Sequence, residues 1–290
     1  MKHNNLFSQC SLTIIAILLT FITITKCLAV DDNRQPEFTV NHQDKSLTTA
    51  NKQMIVAAHP IASQIGLNIL RNGGNAIDAM IATQLVLNVV EPQSSGIGGG
   101  AFLLYYDATE KKLASFDARE TAPSLANENL FLDENGKAQS FKQASHNGNA
   151  VGVPGLLKLL EHVHNKYGQL PWENLCEPAI NLANEGYPVS SRLAGILAYS
   201  KANPYFYKAN KLVKKGDILT DKDFAKTLKN IQKNGSTQFY HGNIAENIVA
   251  AIKKNNGILS TIDLNNYEIK QREPVCFTYR NHKVCSMGPP

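Results

Sequence analysis

Several familiar features are missing from this 290-residue chain, and each absence removes a class of function. No run of lysine and arginine interleaves with aromatic residues, and the formal net charge is only +5, so nucleic-acid binding has little support. No CxxC pair occurs, which argues against a zinc site. His162 and His164 lie two apart in a helical pattern, hence on different faces, and do not make a metal-binding pair. No glycine sits two residues before Ser94 or Ser95, so neither is the serine of a G-x-S-x-G nucleophile elbow. His59 precedes Pro60 and reads as a structural histidine before it reads as a base. No nucleophile, base and orienting group can be assembled from motifs in these residues. Internal repeats, low-complexity tracts and Gly/Ser linkers are also absent, so the body of the chain reads as one unit.

What is present is an ordinary globular composition, 43% hydrophobic and 18% charged, with ample material for a core. The N-terminus stands apart from it. Met1-Lys2-His3 is a short basic region, residues 12–25 are apolar, and Cys27-Leu28-Ala29 offers a cleavage site with alanine at its last position. The apolar run is shorter than the roughly 20 residues needed to span a bilayer, so a cleaved signal peptide over 1–29 is favoured over an anchor. A lipoprotein reading of Cys27 is poorer, because Lys26 stands where a small residue is expected. Cleavage after Ala29 removes Lys2 and Lys26 and no acid, taking the charge from +5 to +3. The mature protein is then expected outside the cytoplasm, in a periplasm if the source is bacterial. Cys276 and Cys285 would face each other directly if Arg280-Asn281 is a hairpin turn, and an oxidising compartment would allow a cross-strand disulfide. Cys176, alone in an apolar helical pattern, reads as a buried, inert thiol.

Residues 30–50 read as a polar arm and 51–290 as the folded domain. Met54–Ala58 predicts a short strand closed by His59-Pro60. Helices are predicted over 62–72, ended by Gly73-Gly74, and over 76–90, opened by Asn75 with Asp78 three residues on. The second is apolar almost all round and needs cover on most sides. Two apolar runs, 102–106 and 113–116, read as a hairpin. Further helices are expected over 156–166, 172–185, 190–200, 221–234 and 243–254, and a last hairpin over 275–287. The sum is an α/β (α+β) unit with helices beside an antiparallel sheet.

Residues 88–123 look built to hold something. Gly96-Ile-Gly-Gly-Gly100 resembles a nucleotide-binding turn, but that chemistry needs strand, turn, then helix; here a helix precedes and a strand follows. A tight turn with close backbone approach is the plainer reading. Arg119 ends the second apolar run inside a segment bounded by Pro123. A guanidinium so placed could grip a carboxylate with two parallel hydrogen bonds, or simply pair with Asp117 or Glu120, and the residues alone leave both open.

Asn75-Ala-Ile-Asp-Ala79, residues 90–100, Asp117-Ala-Arg-Glu-Thr-Ala-Pro123, Gly152-Val-Pro-Gly155, Tyr167-Gly168 with Pro171-Trp172, Glu185-Gly-Tyr-Pro188, Phe239-Tyr-His-Gly242 and Ser286-Met287 resemble, in order, the γ-glutamyltransferases (glutathione hydrolases). That resemblance implies the N-terminal-nucleophile hydrolase fold, an αββα sandwich, made as a precursor that cuts itself into large and small subunits. It implies a nucleophilic N-terminal threonine on the small subunit, using its own α-amine as base. The threonine would attack the γ-glutamyl amide of glutathione and pass the acyl group to water, an amino acid or a dipeptide. No metal and no cofactor is called for. Arg119 matches the arginine that binds the α-carboxylate of the γ-glutamyl group. The resemblance covers large-subunit sequence only: after Ser286-Met287 the chain reads Gly-Pro-Pro290, with Gly288 where the family usually has proline. The sandwich is therefore expected to be incomplete, the catalytic threonine absent and the 290-residue chain inactive alone. A non-catalytic remnant, a partner-dependent binding subunit, a related acylase and a poly-γ-glutamate hydrolase are the alternatives.

Overall fold

Residues 47–199 and 203–290 are described by a computed structural model of the chain, all within a unit spanning Leu47–Pro290. The expected signal peptide over 1–29 and most of the expected polar arm lie outside the described residues. In chain order the elements are α1 (Pro60–Arg71), α2 (Ala76–Val90), β1 (Ala101–Asp107), β2 (Lys112–Ala118), α3 (Phe141–Ser145), α4 (Leu156–Tyr167), α5 (Trp172–Glu185), β3 (Tyr187–Pro188) and α6 (Ser191–Tyr199). There follow β4 (Tyr207–Lys208), β5 (Lys211–Leu212), β6 (Ile218–Leu219), α7 (Lys222–Asn234), α8 (Thr237–His241), α9 (Asn243–Lys254), α10 (Thr261–Asn265), β7 (Lys270–Arg272), β8 (Val275–Tyr279) and β9 (His282–Ser286).

The helical layer grows from well-marked ends. Asn75 caps α2 by accepting from the N–H groups of Ile77 and Asp78, while Asp78 accepts from the Asn75 N–H at 3.0 Å. The same buried Asp78 carboxylate takes the N–H groups of Gln169 and Leu170, tying the start of α2 to the loop after α4. His59 is indeed structural: its Nδ1 accepts from the Ile61 N–H at 3.2 Å and caps α1. Helix α2 packs on α1 and α5, and α5 packs on α7, so the apolar surface that α2 carries all round is covered.

The main sheet has the order β1-β2-β7, antiparallel throughout. Side chains alternate across it. On one face Leu103 lies opposite Phe116 and Tyr105 opposite Ala114, and this face packs beneath α4, with the Tyr105 and Tyr167 rings 4.7 Å apart. The other face carries Phe102, Leu104 and Tyr106 from β1, Ser115 and Asp117 from β2, and Lys270 and Arg272 from β7. Among the described residues helices thus cover one face of the main sheet, and three separate two-stranded pairs (β3-β6, β4-β5 and β8-β9) complete the α+β unit.

Two expectations change. Met54–Ala58 alternates in exposure like a strand but pairs with none among the described residues; Ile55 packs towards Gly66 and the Ala57 N–H is taken by the Ser63 hydroxyl at 3.1 Å. β7 was not foreseen, because Lys270-Gln-Arg272 has no apolar alternation and owes its strand to pairing with β2. The final hairpin has the expected register. Arg280 and Asn281, both with positive φ (46° and 66°), make the turn, and Cys276 faces Cys285 in a disulfide. Cys176 is buried, and burial together with the nearby Glu173 charge pushes its thiol up to about 12, leaving it unreactive at neutral pH. No helix among the described residues is long and apolar enough to cross a membrane.

Candidate active site

Three of the motif segments, residues 96–100, 117–123 and 152–155, meet at the turn that follows β2. Gly99 does lie at a helix N-terminus, but of α4, far along the chain, and the group it offers is a carbonyl. Gly99 O accepts from the N–H groups of both Gly155 and Leu156 at 3.0 Å, so the amides a phosphate would use are already bonded to the backbone. Gly100 then lets the chain pass close to the turn: a Cβ there would come within 2.8 Å of the Ala118 carbonyl and against the Glu120 carboxylate. Thr121 and Val153 exchange backbone hydrogen bonds, which fastens the Gly152–Gly155 segment alongside.

Arg119 projects from this turn. Its side chain is 60% exposed, and its ion pair is with the adjacent Glu120, Nε to Oε2 at 3.4 Å. Asp117 does not take the guanidinium. Instead its Oδ1 accepts from the Arg119 N–H at 2.9 Å, and its Oδ2 accepts from Arg272 Nε at 2.7 Å. Burial pushes the Asp117 carboxyl up, but the Arg119 N–H, the Arg272 guanidinium and the Lys270 charge outweigh it, leaving the group below the ordinary carboxylate range. Arg119 faces two hollows. One of about 530 Å³ runs along the 119–123 turn to Leu130, Phe131 and Val151. The other, of about 100 Å³, also holds Asp117, Tyr267, Lys270 and Arg272. A larger hollow of about 790 Å³ lies beside residues 48–55, but it is remote from these charged groups and borders the described range.

Neighbouring motif residues serve as scaffold. Ser95 bridges Gln84 and Asn88 of α2, its hydroxyl donating to Asn88 Oδ1 at 2.6 Å, so it supports the turn and is not aimed at the site. Glu91 is almost fully buried and pairs with Arg192 at 3.1 Å; burial raises its carboxyl, opposed by Arg192 and Gln93. His162 packs near the Phe116 ring and His164 near Trp172, so the two histidines serve different contacts. Arg192, Tyr267 and Arg272 escaped the sequence reading; each meets its partner across more than 100 residues with no local signal.

The glycine turn, the largely exposed Arg119 side chain and the half-covered β1-β2-β7 sheet lie together. The family description "Gamma-glutamyltranspeptidase" matches residues 62–290, and the chain belongs to that family. It is 40% identical over 253 residues to the glutathione hydrolase proenzyme of Bacillus subtilis strain 168, covering 85% of this chain and 43% of that protein. The Escherichia coli K12 glutathione hydrolase proenzyme is 35% identical over 250 residues, with 83% and 43% covered. This chain therefore spans less than half the length of those curated relatives. Among solved structures, the Helicobacter pylori γ-glutamyltranspeptidase superposes with a TM-score of 0.79 at 38% identity, covering 84% of this chain and 72% of that one. The Bacillus anthracis transpeptidase CapD gives 0.69 at 33% identity, covering 83% and 78%.

Proposed function

We propose that this chain supplies the donor-binding, large-subunit part of an exported γ-glutamyltransferase, with Arg119 as the anchor for the α-carboxylate of glutathione and related γ-glutamyl compounds. The observation that carries the reading is a largely exposed guanidinium on a turn whose backbone is pinned on both sides, opening onto a hollow wide enough for a peptide. Nε is engaged by Glu120, and a bidentate carboxylate would use the terminal nitrogens. No metal or cofactor is needed for that grip.

The acyl-accepting threonine and the oxyanion donors belong, in this reading, to a small-subunit polypeptide of the same precursor. Its seat is the sheet face bearing Phe102, Leu104 and Tyr106, which are 38%, 37% and 59% exposed, along the open edge of β1. Export through a signal peptide over residues 1–29 accords with a disulfide between Cys276 and Cys285. The domain proper is 51–290, and the polar arm is 30–50.

The 290-residue chain alone is expected to release no chromophore from a γ-glutamyl anilide, yet to bind glutathione. Arg119→Ala should weaken that binding about tenfold or more, as expected for a lost charge-assisted pair, read by calorimetry or NMR titration. Unchanged affinity would overturn the anchor and favour the scaffold reading, in which Arg119 serves only Glu120. Turnover by the pure chain would overturn the division of labour.

A further inference from the structure

The anchor's backbone poses a problem that the fold solves in an unusual way. Arg119 lies one residue past the last rung of the β1–β2 ladder, at Ala118, so no neighbouring strand fixes its peptide groups. Two side chains do so. The Asp117 carboxylate accepts from the Arg119 N–H, and the Tyr267 hydroxyl donates to the Arg119 carbonyl at 2.9 Å. We infer that Tyr267 is a positioning residue for the Arg119 anchor, aiming the guanidinium through the backbone without touching the ligand. This rests on the reading of Arg119 as a carboxylate anchor.

Everything around the phenol serves that contact. Tyr267 is only 5% exposed, and its ring stacks on Tyr240 with centroids 6.1 Å apart and planes 15° from parallel. Tyr240 is itself pinned: its hydroxyl donates to the Pro154 carbonyl at 2.9 Å and accepts from the Lys158 N–H at 3.3 Å. Residue 155 must be glycine for the hydroxyl to pass, because a Cβ there would overlap Tyr267 Oη and the Ala118 carbonyl. Two motifs without catalytic groups, Gly152-Val-Pro-Gly155 and Phe239-Tyr-His-Gly242, thereby acquire a purpose in holding Tyr267. On the far side Arg272 braces Asp117, so the loop after α10 and β7 together grip the single residue that protrudes from β2. Burial, with the charges of Asp117 and Glu120, pushes the Tyr267 phenol up to about 12, so it stays a donor across the physiological range. A hydroxyl already committed to the Arg119 carbonyl has no proton left for a ligand.

The test is the ratio of affinities for glutathione and for its analogue lacking the α-carboxylate, γ-aminobutyryl-cysteinylglycine, measured by calorimetry on the full chain. Wild type should prefer glutathione by about tenfold or more, and Arg119→Ala should abolish the preference. Tyr267→Phe keeps the ring and the stack; it should cut the preference about fivefold while leaving affinity for the analogue unchanged, and add little in the Arg119→Ala background. A tyrosine of merely structural importance would weaken both ligands or neither. Equal binding of both ligands by wild type would remove the anchor, and the positioning role with it. A preference lost in Arg119→Ala but intact in Tyr267→Phe would overturn the positioning role alone. Should the phenylalanine variant lose its cooperative melt, a fluorinated tyrosine at 267 keeps the hydroxyl and gives a second readout. With the ring tetrafluorinated the phenol is far more acidic and its titration is followed by its own absorbance; the preference should fall as pH rises through that observed titration, while Arg119 stays charged, and a flat preference across it would overturn the inference.

Discussion

The two faces of the β1-β2-β7 sheet are built from the same strands and differ in almost everything else. Towards α4 the strands present Leu103, Tyr105, Ala114, Phe116 and Ala118, closed over by a helix whose inward residues Leu156, Leu159, Leu160 and Val163 are buried. Away from it they present three half-exposed apolar side chains on β1 beside a charged stripe of Asp117, Lys270 and Arg272. One face is finished and holds the fold together. The other carries the groups that position Arg119, and its apolar residues have found little to bury against among the described residues. Apolar burial is therefore concentrated on one side of the sheet, while Asp117, which holds the Arg119 backbone, lies on the other.

The sharpest way to break that comparison is to truncate one side chain on each face. Phe116 is fully buried beneath α4, whereas Leu104, on the opposite face of the neighbouring strand, is 37% exposed. Phe116→Ala should cost about 4 kcal/mol through lost burial and a residual cavity, and Leu104→Ala less than about 1 kcal/mol, measured by urea unfolding. Comparable losses at both positions would mean that the second face is as well packed as the first. If the proposed small subunit seats on this face, the Leu104 value should rise in the complex, since the face would then be interior.

Much of the helix-side face was legible in the sequence, and the reason is local. Asn75 and Asp78 announce their capping box within four residues, and α4 and α5 carry the 3.6-residue apolar period; the separate β8–β9 hairpin was legible for the same reason, its Arg280-Asn281 turn setting the register that brings Cys276 to Cys285. The second face was largely illegible because its contacts are distant and polar. β7 has no apolar pattern of its own, and Tyr267 and Arg272 reach their partners across 148 and 155 residues. Arg119 could be singled out, through its place after a strand and through family resemblance, with Asp117 and Glu120 as neighbouring partners, but Tyr267 and Arg272 could not. Met54–Ala58 shows the converse failure: a short apolar run was present, but a strand also needs a neighbour.

Acid should loosen the site side before the helix side. Asp263, mostly buried at the start of α10, accepts from the Ser124 N–H at 2.8 Å and from the Ser260 hydroxyl at 2.7 Å, joining α10 to the segment just after Arg119. Burial raises its carboxyl, yet the Ser260 and Ser124 hydrogen bonds prevail and bring it from an ordinary 3.8 to about 2, a difference on the order of 2 kcal/mol. The folded-state pKa is depressed, so this stabilisation is present above about pH 4 and is lost as pH falls towards 2. Asp117 shifts in the same direction and adds to the trend. Unfolding free energies followed from pH 5 to pH 2 should decline, and Asp263→Asn should flatten part of that slope; an unchanged slope in the variant would disprove the assignment.

The smallest global effect is expected where a covalent bond is broken. Closing a loop of this length with a disulfide is worth about 2–3 kcal/mol when the looped segment folds together with everything else. Here Val275, Phe277 and Tyr279 are 53%, 56% and 57% exposed, so the β8–β9 hairpin shares little buried surface with the core and its order is largely its own. Besides the short link from β7, its ties to the sheet come from residues just beyond β9: Met287 accepts a hydrogen bond from the buried Ser115 hydroxyl, and Pro290 lies beside Arg119 and Asp117. Reducing Cys276–Cys285, or replacing both with serine, should therefore erase hydrogen-exchange protection across β8 and β9 while the amides of β2 and α4 exchange as before. The core's unfolding free energy should change by less than about 1 kcal/mol, since local opening need not propagate through an element that buries so little. If protection in α4 fell in step with that in β8, the hairpin would be part of the cooperative core, and the open face of the sheet would be better covered than its exposed side chains indicate.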